Sequence, residues 1–134
     1  MNGKVFFDTN VLIYAMALGD PRRDRAHQLL AQGGIVSVQV LNEFAAVARR
    51  KMGMAWKDVV EALDTIRVLC PSPLPTTLDV HEAALRIAQE YGFGIFDALI
   101  LSSALNANCS TLFSEDLQNG QVIDRKLTIR NPFR

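Results

Sequence analysis

Apolar and polar residues alternate along the chain in blocks that predict short strands separated by helices. Three short apolar runs, at residues 5–8, 35–37 and 111–113, predict buried strands. The intervening stretches predict six helices, several with apolar residues every three or four positions, as on one helix face. These helices are expected at 10–18, 21–31, 38–52, 56–69, 78–91 and 96–106. The stretch 122–133 holds two further strand-like segments and no clear helix.

Several predicted helix ends carry residues with strong positional preferences. Asp20 followed by Pro21 is typical of an N-cap residue followed by the first helical position. Ser37 and Thr77 are suited to cap the helices that follow them. The three prolines within 71–75 predict that the fourth helix ends before them.

This order of elements predicts an α/β fold. Strands separated by helices form βαβ units and a mostly parallel sheet with right-handed crossovers. In such sheets, ligands bind beyond the carboxyl ends of the strands. The length of 134 residues fits a single domain over 1–134. A hydrophobic content of 49% lies in the globular range, and no apolar run approaches the ~20 residues of a membrane span.

Net charge, cysteine content and the N-terminal residues narrow the class of protein. The net charge is zero, so bulk charge does not indicate nucleic-acid binding. Basic residues nevertheless cluster, and ten of the 14 are arginine, which binds phosphate in a forked geometry. Cys70 and Cys109 lack the CxxC spacing and are expected to be reduced, partly buried thiols. The N-terminal residues do not resemble a signal peptide, so a cytoplasmic location is expected.

Four acidic residues lie at similar junctions between predicted strands and helices. Asp8 ends the first strand, and Asp116, preceded by Glu115, follows the third. Glu43 and Asp97 lie near the starts of two helices. Each acid has an ordinary explanation, because helix starts and turns favour carboxylates.

The neighbours of these acids favour a metal site. Apolar residues flank Asp97 and Glu43, so both are expected to border buried helix faces, where an unpaired charge is unfavourable. Carboxylates that converge at one sheet edge repel one another, and a divalent cation relieves that repulsion. An all-oxygen ligand set suits Mg²⁺ or Mn²⁺ rather than zinc. His27 and His81 have no partner at metal-ligand spacing, and no Walker, GxGxxG or GxSxG motif is present.

The sequence resembles the PIN-domain ribonucleases, and most closely the VapC-type toxins of toxin–antitoxin pairs. Four segments carry the resemblance in order: "FFDTNVLIYA", "VSVQVLNEFAAVARRK", "YGFGIFDALILSSAL" and "TLFSEDLQNGQVIDRKLTIRNPF". The resemblance implies a three-layer α/β/α domain around a central, mostly parallel sheet. One departure is Gly94, where related proteins often have serine or threonine; glycine remains an acceptable N-cap.

The resemblance also implies residue roles. The catalytic acids would be Asp8, Glu43, Asp97 and Asp116, of which Asp8, Asp97 and Asp116 would bind Mg²⁺ or Mn²⁺. The residues expected to orient ligands or substrate are Thr9, Asn10, Ser114 and Glu115, and Glu115 could share the role of Asp116. The expected reaction is hydrolysis of RNA by water activated at the ion. Basic residues expected to form an RNA-binding rim are Arg22, Arg23, Arg25, Arg49, Arg50 and Lys51.

The implied partners are an RNA substrate with an exposed single-stranded loop, a VapB-like antitoxin and a second copy of the chain. The helices at 38–52 and 56–70 are candidate contact surfaces for them. Three other functions are possible. A haloacid-dehalogenase-type phosphatase needs an acid two residues after Asp8, where Asn10 stands. A non-catalytic PIN-like module that binds RNA or protein, and a DNA-cleaving nuclease, are also consistent with the sequence.

Overall fold

A four-stranded sheet forms the centre of the computed structural model, which describes residues 3–134. The strands are β1 (Lys4–Phe7), β2 (Cys109–Phe113), β3 (Val122–Ile123) and β4 (Leu127–Arg130), in the spatial order β1-β2-β4-β3. β1, β2 and β4 run parallel, and β3 pairs antiparallel with β4. The prediction of a mostly parallel sheet is therefore confirmed, and both strand-like segments of the C-terminal stretch are strands.

All six predicted helices are present in the structure. They are α1 (Thr9–Met16), α2 (Arg23–Ala31), α3 (Val38–Arg50), α4 (Trp56–Leu69), α5 (Leu78–Tyr91) and α6 (Ile95–Asn106). Ser37 and Thr77 cap α3 and α5 as predicted, because each side chain accepts a hydrogen bond from a backbone N–H of the first turn. Gly94 is the N-cap of α6 and contributes no side-chain hydrogen bond.

The prediction of a strand at 35–37 is wrong. This segment forms two isolated parallel bridges, Ile35 with Phe6 and Ser37 with Leu74, rather than a strand. Ile35 still extends the sheet beside β1, since its N–H lies 2.9 Å from the oxygen of Val5 and its oxygen accepts from Phe7 N–H at 3.0 Å. Pairing with β1 ends there because the next residues pair with Leu74 and lead into α3, whose N-cap is Ser37.

The start of α2 also differs from the prediction, which placed an N-cap at Asp20 and the first helical residue at Pro21. Residues 21 and 22 form a turn, and the helix begins at Arg23 with Arg22 as its N-cap. The Asp20 carboxylate accepts from the backbone N–H of Arg22 at 2.8 Å and from its guanidinium. Asp20 therefore stabilises the turn before the helix.

The helices cover the sheet in the three-layer α/β/α arrangement expected from the sequence. α6 is the central helix, with all seven residues from 98 to 104 buried. Ser102 within it donates to the oxygen of Val80 at 2.8 Å, which joins α6 to α5. The largest fully buried side chains come from both sheet and helices and include Phe6, Phe7, Leu12, Phe44, Ile100 and Leu112. This packing fixes the strand ends, from which the polar residues of the site project.

Two observations bear on the class of protein. Cys70 and Cys109 are free thiols that are more deeply buried than the partial burial predicted, and burial raises the pKa of each to about 11. No helix within residues 3–134 has both the length and the apolar character needed to cross a membrane.

Candidate functional site

The four predicted acids line one cleft at the carboxyl ends of β1 and β2. The cleft has a volume of about 320 Å³. Its lining residues are Asp8, Thr9, Asn10, Ile13, Tyr14, Glu43, Val47, Lys51, Asp97 and Asp116. Asp8 follows β1 directly and caps α1, and its backbone N–H binds the oxygen of Phe113 at the end of β2 at 3.0 Å. The parallel pairing of β1 with β2 thus brings the segments that follow these two strands together at the cleft.

Asp8 is the most buried of the four acids, with 6% of its surface exposed. Its Oδ1 accepts from Thr9 N–H at 2.7 Å, and its Oδ2 accepts from the Ser114 hydroxyl at 2.8 Å. Burial raises the pKa of Asp8 from 3.8 to about 6. The hydrogen bonds from Ser114 and Thr9 oppose this rise, whereas the charges of Asp116 and Asp97 add to it.

Asn10 joins the two acidic segments. Its Nδ2 lies 3.2 Å from Asp116 Oδ2, 3.4 Å from Ser114 Oγ and 3.5 Å from Asp8 Oδ2. Its Oδ1 accepts from the backbone N–H of Glu115 at 3.2 Å. One amide therefore contacts both carboxylates and the backbone of the loop that carries Asp116. The family resemblance implied an orienting role for Asn10, and these contacts place its amide between Asp8 and Asp116.

Asp97 and Glu43 complete the acidic wall. Asp97 is an exposed residue whose carboxyl faces the cleft, and Glu43 is half-buried, so neither lies on a fully buried helix face. Partial desolvation, followed by the charge of Asp116, raises the pKa of Asp97. Desolvation also raises the pKa of Glu43; a hydrogen bond from Gln39 opposes this, and Asp97 adds to it. The four acids thus repel one another across the cleft.

Glu115 points away from this cleft. Its carboxylate accepts from the Tyr14 hydroxyl and from Arg22 Nη1, the latter at 2.9 Å and 3.2 Å. Burial and the hydrogen bond to Glu115 raise the pKa of Tyr14 to about 12. Asp116, by contrast, lines the cleft together with the other three predicted acids.

The predicted basic rim divides into residues inside and outside the cleft. Lys51, the C-cap of α3, lines the cleft. It follows Val47 by four positions and Glu43 by eight, so all three lie on the same side of the helix. Arg22 is paired with Asp20 and Glu115, and Arg49 stacks on Trp56 at 4.8 Å. The remaining arginines of the predicted rim lie at other positions: Arg25 binds the oxygen of Pro132 at 3.2 Å, Arg23 has a buried Nε without a partner, and Arg50 is exposed.

The oxygen chemistry of the cleft fits a hard divalent cation. All four acids offer carboxylate oxygens, and the hydroxyl of Thr9 is buried with no hydrogen-bond partner. Within residues 3–134, no three acidic, histidine or cysteine side chains are arranged closely enough to enclose an ion by themselves. A cation here would therefore also need water or small side-chain movements. The donor set suits Mg²⁺ or Mn²⁺, and the side-chain placement alone does not define a closed metal cage.

Sequence reasoning missed Ile13, Tyr14 and Val47, which also line the cleft. The signal was available, because Ile13 and Tyr14 follow Asn10 by three and four positions on α1, and Val47 follows Glu43 by four on α3. Once one polar residue of a helix faces a cleft, its neighbours at this spacing face it too.

Together, the fold and the cleft define an α/β domain with carboxylates gathered where adjacent parallel strands end. The PIN domain family matches residues 5–122, and the chain belongs to that family. The resemblance seen in the sequence is therefore confirmed. A comparison with curated proteins finds no match.

Solved structures of similar fold include a toxin and a toxin–antitoxin complex. Mycobacterium tuberculosis VapC20, a sarcin–ricin loop cleaving toxin, is 23% identical, with a TM-score of 0.68 over 84% of this chain and 92% of that one. VapBC2 from Rickettsia felis, bound to a promoter DNA fragment, is 21% identical, with a TM-score of 0.69 over 95% and 97%. A toxin–antitoxin complex from Klebsiella pneumoniae is 20% identical, with a TM-score of 0.72 over 97% and 98%. At these identities the likeness establishes the shared fold.

Proposed function

We propose that this PIN domain is a metal-dependent endoribonuclease and the toxin of a VapBC-type pair. One observation supports the activity above all others. Asp8 and Asp116 come from opposite ends of the chain, yet a single Asn10 amide contacts both, in a cleft that also holds Glu43 and Asp97. Repelling carboxylates gathered in this way favour a bound cation.

Mg²⁺ or Mn²⁺ would be held by Asp8, Asp97 and Asp116, with Glu43 beside them. Mg²⁺ usually keeps several waters and binds through one or two carboxylates, so the open arrangement of the acids is compatible with it. When bound, the ion would neutralise the acids and activate water for attack on a phosphodiester. The chain itself would fix Asp8 through Ser114 and Thr9, fix Asp116 through Asn10, and offer the free Thr9 hydroxyl to a ligand.

RNA is the proposed substrate. VapC20, which shares the fold, cleaves the sarcin–ricin loop, and exposed loops are where proteins read unstacked RNA bases. The acidic cleft by itself repels phosphate. Lys51 at its wall is the basic residue best placed to offset that repulsion near the acids.

A VapB-like antitoxin and a second copy of this chain are the proposed protein partners. Two of the structures with the same fold are toxin–antitoxin assemblies. In this chain α4 exposes three apolar side chains, with Trp56 61%, Val60 54% and Val68 80% exposed. Exposed apolar surface favours protein contact. α4 belongs to the helix pair that the sequence indicated as a contact surface.

Cleavage of a stem-loop RNA by the purified chain tests the proposed activity. We expect cleavage with Mg²⁺ or Mn²⁺, its loss in EDTA, and its return when the metal is restored. Asp8→Asn protein, purified in the same way, controls for contaminating nuclease. Full cleavage in EDTA, or equal cleavage by Asp8→Asn protein, would refute a metal-dependent activity of this cleft.

A non-catalytic PIN-like binding module is the alternative. The open arrangement of the acids favours it, because a binding module needs no closed metal site. Such a module would bind the stem-loop RNA without cutting it and would gain little thermal stability from Mn²⁺. The same protein sample, assayed for cleavage and for melting temperature with and without Mn²⁺, separates the two functions.

A further inference from the structure

We infer that Tyr14, Arg22 and Glu115 form a positioning clamp that holds Asp116 in the cleft. This inference rests on the proposed function, since Asp116 is one of the proposed metal ligands. The sequence had suggested different roles: Arg22 as part of an RNA-binding rim and Glu115 as a partner of Asp116. The contacts of the three side chains favour one shared structural task.

Arg22 is at the centre of the clamp. Its Nη1 donates to both oxygens of Glu115, at 2.9 Å and 3.2 Å, while its Nε and Nη2 donate to Asp20 at 2.9 Å and 2.8 Å. Its guanidinium carbon lies 3.7 Å from the centre of the Tyr14 ring. The Tyr14 hydroxyl donates to Glu115 Oε1. Glu115 is therefore fixed to α1 and to the turn before α2 through three hydrogen bonds from two donor atoms.

The backbone of Glu115 transmits this anchoring to the acidic cleft. Its N–H donates to Asn10 Oδ1 at 3.2 Å, and the following N–H, that of Asp116, donates to Ser114 Oγ at 3.2 Å. Ser114 is fully buried and binds Asp8. The loop that presents Asp116 is thus held on one side by Tyr14 and Arg22, which bind the Glu115 side chain. On the other side it is held by Asn10 and Ser114, which bind its backbone.

Electrostatics explains why such a clamp is useful. Asp116 is exposed and repels Asp8 and Asp97, so repulsion favours rotation of the loop outward. Anchoring of Glu115 resists that rotation. Arg22 also balances the charge of Glu115, which would otherwise add a fifth free carboxylate near the cleft.

The same contacts argue against a phosphate-binding role for Arg22. All of its directed donors face Asp20 and Glu115, with one face against Tyr14. A phosphate would have to displace a carboxylate that the guanidinium already binds in forked geometry. A positioning role and an RNA-contact role make different predictions, because the first acts on metal binding and the second on RNA affinity.

The test measures Mn²⁺ affinity by calorimetry, together with kcat and KM for a stem-loop RNA. Residues that support metal ligands typically change metal affinity or activity about 10–100-fold. We expect Arg22→Ala and Glu115→Ala to weaken Mn²⁺ binding and lower kcat in that range, with KM changed less than about twofold. Glu115→Gln keeps acceptors for Tyr14 and Arg22, so it should restore most of the loss. Arg86→Ala removes two ion pairs, with Glu90 and Asp124, that do not line the cleft, and it should leave Mn²⁺ affinity and kcat unchanged.

Tyr14→Phe keeps the ring beneath Arg22 and removes one hydrogen bond, so it provides a result even if Arg22→Ala fails to fold. We expect it to weaken Mn²⁺ binding by less than Arg22→Ala but measurably. Unchanged Mn²⁺ affinity in these variants, or a raised KM with unchanged Mn²⁺ affinity, would overturn the clamp while the nuclease proposal stands. A wild-type chain that neither binds Mn²⁺ nor cleaves RNA would overturn both.

Discussion

Asn10 Nδ2 lies 3.2 Å from Asp116 Oδ2, although 106 positions of sequence separate the two residues. Asn10 is in the first turn of α1, and Asp116 lies in the loop after β2. The contact exists because β1 and β2 are adjacent and parallel, so both chains leave the sheet at the same edge. This contact joins the polar triplet 8–10, which follows β1, and the "SED" triplet 114–116, which follows β2, into one site.

Asp8→Asn is expected to abolish cleavage while the fold persists. The amide keeps an acceptor for Thr9 N–H and loses the one for the Ser114 hydroxyl, but this loss is offset because it also removes a carboxylate that burial and neighbouring acids disfavour. Activity should fall at least about 100-fold, as for loss of a preorganised catalytic group. The free energy of unfolding should change by less than about 1 kcal/mol. RNA cleavage and chemical denaturation measure the two effects.

Asp64→Asn is the matched control for that substitution. Asp64 is exposed on α4 and is not among the residues that line the cleft. It should retain full activity. If Asp8→Asn and Asp64→Asn cleave RNA equally well, Asp8 has no part in catalysis.

Mn²⁺ should raise the melting temperature. A ligand at 100 times its dissociation constant stabilises the folded state by about 2.7 kcal/mol, which corresponds to a rise of roughly 5–15 °C for a domain of this size. Asp116→Asn should reduce this rise, because it removes one proposed ligand and part of the repulsion that favours a cation. Differential scanning fluorimetry across a Mn²⁺ series measures the shift. A wild-type curve that does not move with Mn²⁺ would refute the metal site.

Lys51→Gln should weaken RNA binding in a salt-dependent way. Lys51 lines the acidic cleft, and loss of one phosphate contact lowers the slope of log affinity against log salt by about 0.7 for a single strand. Binding of a stem-loop RNA in the Asp8→Asn background, measured at several salt concentrations, gives that slope. Lys57→Gln, an exposed position at the start of α4, should leave it unchanged. If Lys51→Gln and Lys57→Gln give the same slope of log affinity against log salt, Lys51 does not contact an RNA phosphate.

Gly34→Ala and Gly94→Ser should change stability in opposite directions. A Cβ at Gly34 would lie 2.3 Å from Phe7 Cε2, and Phe7 is fully buried beside Asp8. Overpacking there should destabilise the fold by about 1–3 kcal/mol. At Gly94 a side chain meets open space, and a serine hydroxyl would cap α6, which should stabilise by a few tenths of a kcal/mol. Denaturation with urea measures both; a Gly34→Ala protein as stable as wild type would mean that Phe7 can move aside.

Asp124→Asn should lower stability at neutral pH and lose this effect in acid. Arg86 is the main cause that holds the pKa of Asp124 below its ordinary value of 3.8, and Tyr91 adds a hydrogen bond. A carboxylate with a lowered folded-state pKa stabilises the protein above its ordinary pKa, and this contribution disappears as the pH falls through the folded value. Both side chains are partly exposed, so the effect at pH 7 should be only about 0.5 kcal/mol.

Asparagine suits this position because Asp124 has a φ of 51°, which asparagine also tolerates. The substitution therefore changes the charge with little change to the turn between β3 and β4. Denaturation at pH 7 and at pH 3 checks the prediction. An equal loss of stability at both pH values would show that the contribution is not ionic.

The sequence by itself determined most of the secondary structure and indicated which acids to examine. Helical spacing, Ser37 and Thr77 as caps, and short β-favouring runs are local signals, and local backbone preferences follow them. Asp8 and Asp116 could be recognised because both follow a predicted strand, and strand ends in a parallel sheet share an edge. The segment at 35–37 shows the limit of such signals, because whether an apolar run becomes a strand depends on the partners beside it.

Only the tertiary structure decided which side chains meet. The order β1-β2-β4-β3 brings Asn10 to Asp116, and the path of the chain before α2 brings Arg22 to Glu115. Both contacts join residues about a hundred positions apart, and no local pattern encodes them. Lys51 and Arg22 read alike as basic residues in the sequence, yet one lines the cleft and the other is held by two carboxylates. The physical reason is that a charged side chain takes its role from the partners that packing places within reach.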